Sequence, residues 1–469
     1  MNRINYLLKN TLLIFMGNLG SKLITFLLIP LYTAVLTTEQ YGTVDLIFNI
    51  MMIALPIITL NIYESLLRFS LDKGADLYGV LSVGLCALFI LIALGAVLSL
   101  VLYLYEPLSQ YSLHIFFYAV TMGTSQMLMY YLKGRELLLL NSIGSILQTF
   151  LIAVFIVILL VVYGRGVKGY LEAFSLSYLI TSIYCIVVSR SYLVFKKFHI
   201  DIRLAKEMIK YSVVLIPGSF AWWVMSSSDK LMVVGILGVS ANAIYAISYK
   251  LPTLVYILTG IFNQAWRYSA IREHGAQDET EYNNLILKKM SYFSVFVALV
   301  IITFSKFFLR YYVSFSFYES WKYIPSLVIG QVFVALSGFI ATSYMIHKDS
   351  WGVLFSSMGG AIVNIVLNLL LIPLWGLHGA AFATCSGFFF MCLFRLFGTR
   401  KYMRYRMFSG EFIIGCMFMI ISSFLSYYDG HMGFVIQVLI LLLFAIIGKN
   451  FWSSITASIL RRASTCNHS

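Results

Sequence analysis

From Tyr78 to Leu104 the chain runs without one charged side chain. Read as a helix at about 1.5 Å per residue, such a run is long enough to cross the ~30 Å hydrocarbon core of a bilayer. It is one of fourteen apolar segments, at about 11–36, 42–67, 78–104, 112–132, 140–163, 169–195, 209–238, 242–266, 288–313, 322–346, 351–375, 377–398, 408–427 and 431–448. Inside hydrocarbon every backbone donor and acceptor must be satisfied within the spanning structure, so only helices and closed barrels cross. The runs are continuous rather than alternating, which selects helices. Of the 469 residues, 60% are hydrophobic and 11% charged, against about 25% charged in soluble domains. Nothing remains from which to build a large water-soluble domain. The sequence predicts an all-α integral membrane protein with about 14 transmembrane helices.

The net charge of +14 points to basic loops against anionic lipid rather than to nucleic acid. With the N-terminus in the cytoplasm, 25 of the 33 Lys and Arg fall at cytoplasmic ends and loops, Arg68 and Arg395 among them. Four (Arg165, Lys168, Arg310, Lys322) fall outside, and Lys22, Lys230, Lys250 and Lys306 fall within segments. That asymmetry follows the positive-inside rule and places both termini in the cytoplasm.

An internal repeat is visible. Gly20-Ser21-Lys22-Leu23 returns as Ser228-Asp229-Lys230-Leu231, 208 residues later. Tyr41 returns as Tyr245, and Gly166-Val167-Lys168-Gly169 as Gly376-Leu377-His378-Gly379, at offsets of 204 and 210. The offset spans six segments, an even number, so both copies share one orientation. This predicts two six-helix lobes, 1–195 and 209–400, related by a pseudo-two-fold along the membrane normal, with a substrate site between them. Residues 196–208 form the cytoplasmic amphipathic linker. Residues 401–469 add two transmembrane helices and a cytoplasmic tail.

A charge in the middle of an apolar helix costs about 2.5–3.5 kcal/mol on insertion scales, so it requires a reason. Lys22, Lys230 and Lys250 are the sharpest cases. They read as ammonium groups facing an aqueous cavity and binding an anion such as pyrophosphate, or as partners of nearby acids. Arg267 joins them as a further cation. Asp229 reads as a cation or proton site, or as the partner of a basic residue. Glu64 and Arg68 share a helix face at i, i+4 and read as an intrahelical ion pair or as cavity charges. Asp45 reads as a second ion-pair acid or as a cap of the helix after Tyr41-Gly42-Thr43. Pro30, Pro56, Pro217, Pro252, Pro325 and Pro373 lie in or at the ends of segments, where proline either kinks a helix or packs statically. Asn364 and Asn368, at i, i+4, are expected to hydrogen-bond between helices.

No hydrolytic or transfer motif is present: no phosphate-binding glycine loop, no HExxH, no nucleophile elbow. The six cysteines are scattered without metal-ligand spacing, so neither a disulfide framework nor a metal site is expected. The seven histidines are isolated. The chain is expected to move something rather than to make it, and to need no cofactor.

The opening GSKLITFLLIPLYTAVLTTEQYGTVDLI, the later ESLLRF, SSDKLMVVGILGVSANAIYAISYKL with FNQAW, and NIVLNLLLIPLWGLHGAAFAT together resemble Wzx-type polysaccharide flippases of the multidrug/oligosaccharidyl-lipid/polysaccharide exporter superfamily. The resemblance implies a bacterial inner-membrane protein that turns undecaprenyl-pyrophosphate-linked O-antigen or capsule repeat units from the cytoplasmic to the periplasmic leaflet. It implies alternating access of two lobes, and basic residues such as Lys22, Arg68 and Lys250 toward the pyrophosphate. A proton or sodium gradient, coupled through Asp229 or Glu64, is the expected energy source, with a polysaccharide polymerase and chain-length regulator as partners. The alternatives are a lipid II flippase and a multidrug exporter of the same superfamily. An exporter of cationic compounds calls for an acid-lined cavity, and the mid-segment lysines argue against it.

Overall fold

The computed structural model describes residues 24–448 except 73, 105, 273–276, 348 and 429, and within helices omits some side chains. Among the described residues there are helices and no strands. Nine helices among the described residues are long and apolar enough to cross a membrane, and four shorter apolar helices accompany them. Over the described residues every expected segment contains helix, but several are broken, among them 42–67, 169–195 and 242–266, and Lys22 lies outside the described residues. The chain divides into two compact units, Met1–Trp223 and Val224–Ser469.

The first unit holds α1 (Ile29–Val35), α2 (Thr38–Ile58), α3 (Ile62–Ser70), α4 (Leu77–Tyr103), α5 (Ser112–Gly134), α6 (Leu138–Ile156) and α7 (Gly166–Val188). Thr37 caps α2, its hydroxyl accepting the Gln40 amide while Gln40 returns the bond. Asp45 is therefore not the cap; it sits buried about two turns further on. Val44, Ile47, Met51 and Leu55 recur on one face of α2 and pack with Leu91, Ile115, Tyr118, Leu171 and Tyr178. Only 11% of the apolar stretch of α4 is buried, so its Phe89, Val97 and Leu100 face outward, as a helix that is apolar all round does against lipid.

The expected second span is interrupted at Thr59–Asn61. Leu60 and Asn61 take φ of 51° and 56°, a region uncommon outside glycine. The Asn61 amide reaches back to the Pro56 carbonyl at 2.7 Å, closing a widened turn. The span thus becomes two helices that meet at an angle.

Helix α8 (Ile202–Leu237) runs 36 residues. Its amphipathic start around 202–210 is continuous with the apolar span that follows. The second unit adds α9 (Val239–Ser248), α10 (Pro252–Arg272), α11 (Glu279–Tyr312), α12 (Ile324–Ile346), α13 (Ser350–Trp375), α14 (Leu377–Gly398), α15 (Gly410–Leu425) and α16 (His431–Ile447). The eighth expected segment is broken between α9 and α10, where Pro252 opens the new helix without needing an amide partner. Pro30 and Pro325 also sit in first turns, so these three prolines start helices rather than kink them.

Helix α12 is the buried axis of this unit: Val328, Val332, Leu336, Phe339 and Ile340 are all inaccessible. Helices α13 and α14 cross closely because two glycines face each other. A Cβ on Gly360 would meet the Gly387 carbonyl at 2.9 Å, and one on Gly387 would meet Asn364 Cβ at 2.9 Å. Small residues at such crossings replace the hydrophobic driving force that lipid removes. Tyr292 stacks on Phe444 at 4.8 Å, tying α16 to α11.

Candidate functional site

Most buried hydroxyls answer to their own helix. Thr33, Thr59, Ser177, Thr181, Ser212, Ser291 and Ser294 each donate to the carbonyl four residues back. This is the usual way for a short polar side chain to satisfy itself in an apolar interior. Polar groups that reach across helices are fewer, and in the second unit they gather most densely at two sites.

The first is built on Asp229, in α8 and 1% exposed. Its Oδ1 accepts the Lys230 amide at 2.9 Å. Its Oδ2 accepts hydroxyls from Tyr249 at 2.5 Å, Tyr245 at 2.8 Å and Thr384 at 2.9 Å. Asn364 extends the network, donating to Thr384 at 3.2 Å, while its own Oδ1 accepts Asn368 at 3.1 Å and Ser228 at 3.4 Å. Four helices converge here: α8, α9, α13 and α14. The glycine crossing brings Asn364 and Asn368 against Thr384. Asn368 Oδ1 is buried without a hydrogen-bond partner, and a buried unsatisfied oxygen costs about 1–3 kcal/mol. One backbone amide and three hydroxyls thus donate to the Asp229 carboxylate and satisfy it as an anion. The expected interhelical role is met for Asn364, whereas Asn368 bonds along its own helix to Asn364. The tyrosine and threonine partners were not foreseen, though Tyr245 stands at one of the repeat's return points.

The second is Arg395, in the last turn of α14 and 7% exposed. The charge asymmetry places it at a cytoplasmic end; the fold draws it inward. Its Nε donates to Ser356 at 3.0 Å, Nη2 to Ser357 at 2.9 Å and Nη1 to the Ser337 carbonyl at 3.1 Å. The planar fork joins α12, α13 and α14.

The other expected residues are dispersed. Lys230 Nζ lies over the Tyr249 ring, 5.6 Å from its centre, beside the Asp229 network. Lys250 sits in the break between α9 and α10 rather than in mid-helix, its carbonyl accepting Thr253. Arg267 is exposed on α10. In the first unit Arg68 does not pair with Glu64. It reaches forward to Asp72 at 2.5 Å, while Glu64 turns to Tyr130 and Lys133, because α3 packs against α5. Asp45 accepts Asn49 Nδ2 at 2.8 Å, and Asn49 holds Trp223 Nε1 on its carbonyl at 3.0 Å.

A third feature was not foreseen. Between α2, α3, α5, α6 and α7 lies a cavity of about 300 Å³, lined in part by Tyr63, Ser125, Gln126, Tyr130, Gln148 and Tyr178.

Buried charges held across helices are rare in a multi-pass helical membrane protein and mark functional positions by default. Residues 7–267 match the family described as polysaccharide biosynthesis protein, and the chain belongs to that family. No curated protein matches it. Among solved structures it is similar to the lipid II flippase MurJ in an inward closed conformation (TM-score 0.68, 14% identity, 96% of this chain and 100% of that one). It is similar to an inward-facing multidrug resistance MATE family transporter (0.65, 13%, 83% and 94%) and to a mutant of the Vibrio cholerae MATE transporter VcmN (0.54, 16%, 84% and 96%). At these identities the likeness is one of fold.

Proposed function

We propose that this protein translocates undecaprenyl-pyrophosphate-linked oligosaccharide repeat units from the cytoplasmic to the periplasmic leaflet of a bacterial inner membrane, for O-antigen or capsule/exopolysaccharide synthesis. The two lobes expose the substrate alternately to each side. Lys22, Lys230 and Lys250, with Arg68 and Arg267 nearer the surface, attract the pyrophosphate. A proton or sodium ion bound at Asp229 supplies the drive. The observation that carries the reading is the Asp229 network: a polysaccharide-family chain holds a carboxylate 1% exposed, inside a long apolar helix and hydrogen-bonded across helices. An intramembrane carboxylate is a functional residue by default. Membership of the family supports a glycan cargo; the flippase and transporter fold supports movement rather than synthesis.

The test is complementation of a strain lacking its flippase. Lys22→Ala, Lys230→Ala and Lys250→Ala are each expected to lower surface polysaccharide, and Asp229→Asn to abolish it, at normal expression. Full polysaccharide from all three lysine variants overturns the cationic role, and full polysaccharide from Asp229→Asn overturns the coupling. The fold shared with MurJ keeps a lipid II cargo as a second reading. Lethality on deletion, rather than loss of surface polysaccharide, would select it.

A further inference from the structure

Resting on that reading of the cargo, we infer that the cavity in the first unit is a subsite for one sugar ring of the lipid-linked oligosaccharide. None of its twelve lining residues is charged, so it does not suit a pyrophosphate or a cationic drug. Yet it carries three phenols, a serine and two glutamines, too many hydrogen-bonding groups for a pocket meant for an acyl chain. Polar side chains are costly in a membrane interior unless they find partners. Here those partners leave capacity to spare.

Ser125 donates to Gln148 Oε1 at 3.1 Å, which fixes that amide and leaves its Nε2 as a donor. Tyr63 lies within hydrogen-bonding reach of Gln126, and Tyr130 of Glu64. Tyr63 and Tyr130 meet edge to face at 5.0 Å, and Lys133 lies over the Tyr130 ring at 4.6 Å, so the aromatic wall is braced from behind. A sugar ring has an apolar C–H face and a rim of hydroxyls. The face fits against tyrosine and methionine, and the rim meets amides that offer a donor and an acceptor together. At about 300 Å³ the cavity lies at the lower limit for small-ligand sites, the size of a single ring rather than a whole repeat unit. Methionine makes up much of the remaining lining, and its flexible thioether accommodates rings of differing substitution.

The purified full-length protein would be loaded with lipid extract from a strain lacking it, in which untranslocated lipid-linked oligosaccharide accumulates. Bare undecaprenyl pyrophosphate is added as competitor, and both complexes are read by native mass spectrometry. Wild type is expected to prefer the sugar-bearing lipid. Gln126→Leu and Gln148→Leu, close in size at half-buried positions, are each expected to reduce that preference about tenfold, the effect of about one lost hydrogen-bond pair. Binding of the bare carrier should stay unchanged. Unaltered preference in both variants overturns the subsite, and so does equal loss of both lipids, which would mean that the glutamines hold the fold. Wild type that takes up neither lipid overturns the proposed function itself.

Discussion

Replacing Arg395 separates the cost of a buried charge from the value of its bonds. The guanidinium makes three cross-helix hydrogen bonds of 2.9–3.1 Å, to Ser337, Ser356 and Ser357. Those serines send their own protons to the Val334 and Val353 carbonyls, so they accept from arginine with spare lone pairs. In Arg395→Met the three bonds disappear, worth about 1.5–3 kcal/mol each with a charged donor. The several-kcal/mol cost of keeping an ion out of water disappears as well. The difference should be a modest destabilisation, about 1–2 kcal/mol. In Arg395→Lys the charge stays, but a single ammonium cannot span three helices as a planar fork does. An under-partnered buried charge costs about 3–5 kcal/mol. The expected order of stability is therefore wild type, then Met, then Lys, against the usual ranking by chemical similarity. Thermal unfolding in detergent, followed by loss of the monodisperse peak, measures it. A lysine variant as stable as the methionine variant would refute the reasoning, since the charge would then have reached water by snorkelling.

Gly387→Val should be poorly folded, because its side chain would press on Asn364 Cβ and the Gly360 carbonyl at 2.9–3.0 Å; overpacking of this kind costs about 1–3 kcal/mol or more, and expression with detergent melting reads it. The loop after α7 should hold α4 in a pH-dependent way. His199 Nε2 meets Asp76 Oδ2 at 2.5 Å, and the Lys197 carbonyl and Asp76 raise the histidine above its usual range. Burial pushes the Asp76 carboxyl up, but the Gly79 amide and His199 outweigh it and leave it below the usual range. A raised histidine stabilises fully below its unfolded pKa of about 6.5 and loses the contribution as pH rises through its folded value; a lowered carboxylate contributes above about 3.9 and loses it as pH falls. The contact is therefore strongest between about pH 4 and 6.5 and weakens in alkali. Hydrogen exchange of residues 197–201 should accelerate from about pH 6 to about pH 9, after correction for intrinsic rates, and His199→Ala should remove that dependence; identical corrected rates would contradict it.

Hydrophobicity made the helices legible, because lipid leaves the backbone no alternative, and each apolar run does contain helix over the described residues. The breaks were not legible. Nothing in Thr59-Leu60-Asn61 marks left-handed backbone by composition, and the stop before Pro252 was hidden inside an apolar run. Charges were visible as anomalies but their partners were not. Glu64 and Arg68 are spaced to pair along one helix, yet tertiary packing offered Glu64 the tyrosine and lysine of α5 and left Arg68 to Asp72. Arg395 looked like one more cytoplasmic basic residue, since the serines that draw it inward lie 38–58 residues away in sequence. The cavity of the first unit was invisible for a simpler reason: tyrosines, glutamines and methionines on five helices carry no motif, and only the packing assembles them.

Asp229 lies eight residues before the end of α8, about 12 Å along the helix axis. If the coupling cation proposed above arrives from that end, it crosses about 12 Å of the ~30 Å over which the membrane potential falls. A full crossing is worth about 2.3 kcal/mol per 100 mV for each charge, so the partial one is worth about 0.9 kcal/mol. Occupancy of the proposed ion site would then depend on voltage as well as on concentration, by about fivefold for each 100 mV. Under the proposed coupling the depth of Asp229 makes the site electrical as well as chemical, and de-energising the membrane would weaken its hold on the ion by about fivefold per 100 mV lost, even with the ion gradient intact.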